Sequence, residues 1–245
     1  MTAQALWQQG TINRCLGDTK EADRCLQESL QIRRALQDKK GVADALSSLG
    51  MTAYAQGDYD SARTLQEESL SLRRQLGEKI ITTTSVEQLA WIALAQSDIS
   101  RARSLFEESL AIFRANRFKP GIAGALHGLG LLNYRSGLYE MARKLLEESL
   151  SLRKALEDKK GMIECLEALA RVFQAQRQQL EAIHLLAFTS AFRTALRLAP
   201  TAAERFAHDN ALRVAKTALP EAVFQNTWET GEAQTLEEAL GSVLE

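Results

Sequence analysis

Three kinds of side chain in this sequence carry the potential for chemistry, and their spacing argues against using it. Paired carboxylates, the usual tools of acid–base catalysis, occur as Glu67-Glu68, Glu107-Glu108 and Glu147-Glu148. A catalytic pair should be unique, with its two acids in different surroundings. A pair that recurs at one fixed interval reads instead as a solvated helix face. Arg63 with Glu67, Arg103 with Glu107 and Arg143 with Glu147 are spaced to support such a face at i, i+4. His127, His184 and His208 show neither metal-ligand spacing nor a neighbouring nucleophile motif. Cys15, Cys25 and Cys165 are odd in number and lack CxxC spacing, so they read as small apolar fillers in a reducing compartment. No glycine-rich phosphate loop follows a strand. The expectation is a non-enzyme without cofactor or metal.

The elements holding these residues come from a repeat, which must be sought before any local pattern. The chain divides without gaps into blocks of 40 residues beginning at Met1, Gly41, Ile81, Gly121 and Gly161. Ala22, Ala62, Ala102, Ala142 and Ala182 share one position; Leu6, Leu46, Val86, Leu126 and Leu166 share another. The string Gln27-Glu28-Ser29-Leu30 returns as Glu-Glu-Ser-Leu at 67–70, 107–110 and 147–150. Each block holds two helical patterns. In the second, Leu46, Leu49 and Ala53 line one face of a first helix, Gly57-Asp58-Tyr59 turns the chain, and Ala62, Leu65, Ser69, Leu72 and Leu76 form the stripe of a second helix. Segments such as Asp38-Lys39-Lys40-Gly41 close each block. One hairpin cannot bury its own apolar face, but stacked neighbours can. Block three opens on the β-branched run Ile80-Ile81-Thr82-Thr83-Thr84, which favours a strand locally; the register overrides it and predicts a helix. Block five has Arg177-Gln178 where the turn glycine should be, and its second helix should stop near Pro200.

Composition agrees with a helical protein: Ala, Leu, Glu, Gln and Arg dominate, with three prolines in 245 residues. A formal net charge of −1 gives no overall field toward nucleic acid or an anionic membrane. No apolar run reaches the roughly 18 residues of a membrane span. Residues 1–7 lack the basic and apolar regions of a signal peptide, so the expected location is the cytoplasm.

Leu49-Gly50, Gly57, Tyr59, Ala62 and Ser69-Leu70, repeated as Leu129-Gly130, Gly137, Tyr139, Ala142 and Ser149-Leu150, resemble the tetratricopeptide consensus. The family's unit is about 34 residues, so this is a longer variant. The resemblance implies an all-α, right-handed superhelical solenoid: five antiparallel helix hairpins at 1–40, 41–80, 81–120, 121–160 and 161–200, followed by capping helices at 201–245. Within that tail a helix is expected from Ala202 to Ala218, Pro220 in the first turn of another, a break at Gly231, and a capping box at Thr235-Leu236-Glu237-Glu238. The tail residues Ala218-Leu219-Pro220, Phe224, Trp228, Gly231 and 235–239 are similar to the extreme C-terminus of large bacterial ATPase and LuxR-type transcriptional regulators. The chain also starts inside a repeat, which fits a piece of a longer protein.

In such arrays the first helix of each hairpin lines the concave side. Carried over by position, that implies a groove of Trp7, Arg14, Asp44, Met51, Tyr54, Glu87 and Trp91, continuing through His127, Leu131, Tyr134, Arg135, Glu164, Glu167 and Arg171. Aromatics and arginines are the usual binding anchors. Packing between hairpins is an equal reading of Trp7 and Trp91, and no row of Lys or Arg suited to clamping a terminal carboxylate is visible. The expected role is a protein-interaction scaffold, the sensor arm of a multidomain signalling protein, with protein, peptide or the parent's own domains as partners and neither nucleic acid nor membrane. A metabolite-binding groove and homotypic assembly are the alternatives.

Overall fold

The computed structural model describes residues 2–198, 200 and 202–244, with backbone alone at 202 and 203. Among them are thirteen helices and no strand. They are α1 (Ala3–Cys15), α2 (Thr19–Ala35), α3 (Lys39–Gln56), α4 (Tyr59–Leu76), α5 (Lys79–Ala95), α6 (Ile99–Ala115), α7 (Lys119–Arg135), α8 (Tyr139–Ala155), α9 (Lys159–Ala175), α10 (Gln179–Ala195), α11 (Ala202–Ala218), α12 (Glu221–Glu232) and α13 (Leu236–Leu244). The β-branched run at 80–84 lies inside α5, because Thr83, Ser85 and Val86 are buried in the register positions of a helix. Two compact units result, Met1–Arg117 and Phe118–Glu245. In the first, α1 packs with α2, α3 with α4 and α5 with α6; in the second, α7 packs with α8 and α9 with α10.

Helix boundaries follow from local chemistry. Asp18, Asp38, Asp58, Asp98 and Asp158 each accept a hydrogen bond from a backbone N–H three residues on, at 2.9–3.1 Å. Each such cap contributes about 1 kcal/mol. The block-closing segments at 38–41 and 158–161 are therefore the start of the following helix rather than loop. Each turn from α1 through α11 passes through the left-handed region. Gly17, Gly57, Gly77 and Gly137 adopt it freely, whereas Ser97, Glu157 and Arg177 enter it at φ 62, 55 and 65. Block five thus keeps the turn without its glycine, at a cost of about 1 kcal/mol.

Packing explains the recurring string. The buried stripe of α4 is Ala62, Gln66, Ser69, Leu70 and Arg73; Leu65 and Leu72 are only partly buried, and Leu76 is exposed. This corrects the stripe read from the apolar residues. The serine hydroxyl reaches across the hairpin: Ser29 donates to the carbonyl of Ala3, Ser69 to Ala43 and Ser149 to Ala123, at 2.7–2.8 Å. Thr83 and Ile163 stand where those alanines would be in blocks three and five. There Ser109 and Thr189 donate within their own helices instead, since the larger residue leaves less room for the crossing bond. Leu146 Cγ lies 2.7 Å from where a Cβ on Gly130 would sit, which is why the Leu-Gly pair carries glycine.

The tail belongs to the second unit. Ala211, Ala215, Phe224, Ala239, Leu240 and Val243 join one core with α8, α9 and α10. Pro220 is the N-cap of α12 rather than a first-turn residue. α12 also runs through Gly231 instead of breaking there. The glycine is needed for close approach: a Cβ would lie 2.7 Å from the carbonyl oxygen of His184, which cannot yield. Thr235 and Glu238 form the reciprocal capping box at the start of α13.

Candidate partner-binding face

The residues carried over by position come from the first helix of each hairpin, and a feature the sequence reading missed decides which remain available. One position in the second helices carries Arg33, Arg73, Arg153 and Arg193, all at most 8% exposed. A buried guanidinium must be met by acceptors, and these come from the first helices. Arg33 donates to the carbonyl of Gly41 and to Gln4 Oε1, both at 2.8 Å. Arg73 donates to Asp44 at 3.0 Å. Arg153 donates to Glu164 at 3.2 Å and lies 3.5 Å from His127 Nδ1. Arg193 donates to both carboxylate oxygens of Glu167 at 3.1 Å. Asp44, Glu164 and Glu167 are thus held by internal ion pairs. Their signal was an arginine at 40-residue spacing on an apolar stripe; block three replaces it with the buried Phe113.

In the first unit the tryptophans do packing work. Trp7 is half-buried, donates from Nε1 to Ser48 Oγ of the next hairpin at 2.9 Å, and has the Arg33 guanidinium 5.7 Å from its ring centroid. Trp91 is half-buried edge-to-face on Phe106, centroids 5.0 Å apart. Arg14 and Glu87 are half-buried. Met51 and Tyr54 keep 36% of their surface in water. Tyr54 is braced by Tyr59 at 5.5 Å between centroids, and Gln88 Nε2 lies 3.4 Å from the Met51 sulfur. Together Tyr54 and Met51 present an aromatic body and a polarizable thioether to solvent.

In the second unit the face is largely occupied. His127, expected in the groove, is only 6% exposed, and burial, then Arg153 and Arg171, hold it well below the usual imidazole range. Leu131 and Tyr134 pack partly buried against the core; Arg135 is exposed. Arg171 lies over the Tyr134 ring at 5.7 Å. Across this face runs α11: Gln174 Nε2 donates to the Ala211 carbonyl at 2.8 Å, and His208 Nδ1 lies 3.8 Å from Glu167. Tyr134, Arg171, Gln174 and Ala175 border a cleft of about 200 Å3 against Asn210, Ala211 and Val214 of α11.

The buried imidazole makes stability depend on pH. Folded, His127 stays neutral; unfolded, it takes a proton near pH 6.5. The unfolded state therefore binds more protons below that value, and stability falls as pH falls, by up to about 1.4 kcal/mol per unit. His208, lowered by burial, adds in the same direction. Denaturant unfolding at about pH 7.5 and about pH 5.5 should show a smaller loss for His127→Gln than for wild type. Equal losses would mean that His127 is protonated in the fold.

The glutamate pairs bear out a solvated face but not all of the expected pairing. Glu67, Glu68, Glu107, Glu108 and Glu148 are exposed and Glu147 is half-buried. Arg143 does pair with Glu147, at 2.6 Å. Arg63 turns instead to Asp60 at 3.2 Å, while Glu67 bonds Arg101 of the next hairpin at 3.0 Å and Glu68 bonds Arg34 at 2.9 Å. Among the described residues no group of His, Cys, Asp and Glu could hold a metal, and no helix is long and apolar enough to cross a membrane.

Paired helices in a strict repeat, joined by buried polar contacts and presenting one face of first helices, define a helical-repeat protein. The chain belongs to the tetratricopeptide repeat family, whose model matches residues 1–75, 41–115 and 121–187. Proteins of this family are in general protein-interaction scaffolds rather than catalysts. No curated protein matches the sequence significantly. Among solved structures, the kinesin light chain-type, nearly identical TPR-like repeats of Podosopora anserina are 20% identical with a TM-score of 0.57, covering 80% of this chain and 96% of theirs. BtubC (BKLC) from P. vanneervenii is 20% identical with a TM-score of 0.59, over 78% of this chain and 79% of its own. At that identity the likeness speaks for the fold alone.

Proposed function

We propose that this protein is a non-catalytic scaffold that docks a helical segment of a partner protein on the first-helix face of the first unit, centred on Met51 and Tyr54. One observation carries the reading. In the second unit the same face already holds a helix: α11 packs on α9 with Ala211 and Ala215 buried, and Gln174 bonds its backbone. Arg171 and Gln174 are among the residues of α9 bordering α11, and Met51 and Tyr54 stand at the same positions of the repeat in α3. A short apolar helix with small residues at i and i+4 is thus the kind of occupant that fits. The tail's likeness to bacterial regulators supports the further reading that the scaffold is a sensor arm, whose partner biases an attached output module by binding one state better.

The test is proximity-crosslinked recovery of partners, identified by mass spectrometry, from wild type and from Met51→Ala/Tyr54→Ala. Loss of the aromatic anchor Tyr54 and the thioether Met51 should weaken the complex at least tenfold, since about 1.4 kcal/mol is tenfold. Both residues are partly exposed, so the unfolding midpoint should move little. Equal recovery of the same partners by both proteins would remove the assignment.

A further inference from the structure

A second recess in the second unit lies between α10 and α11, has a volume of about 560 Å3, and is bordered by Ser190, Arg193, Thr194, Arg197, Leu198, Pro200, Arg205, His208 and Asp209. That size suits a metabolite. Three arginines, Arg193, Arg197 and Arg205, border this one space. Arg193 is 8% exposed; its Nη2 is committed to Glu167, while its Nη1 has an ion pair with Glu204 at 3.8 Å but no hydrogen-bond acceptor. Buried donors of this kind are uncommon, and each calls for a partner. Arg197 and Arg205 are exposed at the rim, and their guanidinium groups make no hydrogen bond or ion pair with a described residue. His208 sits against Ser190 Oγ at 3.1 Å, and its buried Nδ1 also lacks a hydrogen-bond partner.

We propose that this recess binds a small organic oxyanion, a phosphate monoester or a carboxylate, held by Arg197 and Arg205 at the rim and by the unfilled Nη1 of Arg193 at its base. Guanidinium groups meet such oxygens with paired, charge-assisted hydrogen bonds. The Thr194 hydroxyl donates to the Ser190 carbonyl at 2.9 Å and Ser190 Oγ meets His208 Nε2 at 3.1 Å, so these groups border the recess while the arginines supply its free donors. His208, kept below its usual range by burial, is neutral at pH 7 and contributes an N–H rather than a charge. The facing charges set the balance. Glu167 and Glu204 flank Arg193, and Asp209 opposes the rim arginines, so affinity rests on directed hydrogen bonds more than on a general positive field. The site is separate from the first-helix face of the first unit and does not depend on the helical-segment reading.

Isothermal titration of the full chain with inorganic phosphate, glucose 6-phosphate and citrate, in chloride of matched ionic strength, tests this and separates the two ligand sources. Binding of at least one at millimolar concentration or below is expected. Arg205→Ala should weaken it about tenfold and Arg197→Ala/Arg205→Ala further, both without changing the unfolding midpoint in ligand-free buffer, because these side chains are exposed. Asp209→Asn should tighten binding severalfold by removing a like charge. Absence of heat and of any thermal shift with all three ligands overturns the proposal, as does equal affinity in the double variant, which would mark diffuse surface charge instead of a site.

Discussion

Phe188→Glu should release the C-terminal helices from the repeat while leaving the first unit intact. The position is equivalent to Glu28, Glu68, Glu108 and Glu148, which are exposed, yet Phe188 is 3% exposed and shares a core with Phe224 of α12. The difference lies in what covers it. On α10 the Glu-Glu-Ser-Leu string has become Ala187-Phe188-Thr189-Ser190, and α12 lies along that surface, close enough that Gly231 faces Ala187 and the His184 carbonyl. Truncating a buried phenylalanine costs about 3–5 kcal/mol, and a buried carboxylate without a partner adds to that. Hydrogen exchange should therefore lose its protection in α12 and α13, with α3 and α4 unaffected. Retained protection in α12 would show that Phe188 does not hold the cap.

Glu167→Ala should cost about 3–5 kcal/mol, because it strands Arg193 as a buried charge without its bidentate acceptor. The two side chains are 12% and 10% exposed, so water replaces the lost contact poorly. Burial also raises the Glu167 carboxyl above its ordinary range, with Arg193 pulling the other way. The pair is thus a mutual requirement more than a source of stability. The double variant Glu167→Leu/Arg193→Leu should recover most of the loss, as replacing a buried pair with apolar residues is often neutral. Unfolding midpoints of Glu167→Leu, Arg193→Leu and the double variant form the cycle. A double variant as unstable as the summed singles would mean that the residues act independently.

Alternation of helices was legible because periodicity is a local property of the chain. The interval from Gly41 to Gly121 and Gly161, the aligned alanines from Ala22 to Ala182 and the Thr235 capping box all lie in the order of residues. The candidate face was legible only as positions. Whether Trp7 reaches a partner or Ser48 depends on which hairpin lies beside it. His127 is enclosed beside Arg153, a residue 26 positions away. The buried arginines were overlooked because charge on a helix is ordinarily solvated, and only the neighbouring helices reveal that these charges are enclosed.

By itself, the order of amino acids determined that this molecule is a run of helical hairpins with a different, capped tail: amphipathic spacing, aspartate caps and turn residues act over three or four positions and need no distant partner. Tertiary structure alone decided which hydroxyls cross between helices, which carboxylates serve buried arginines, and that α11 lies across α9 while Met51 and Tyr54 stay in water. Those outcomes depend on contacts between segments far apart in the chain, where a single residue such as Thr83 in place of alanine redirects a hydrogen bond.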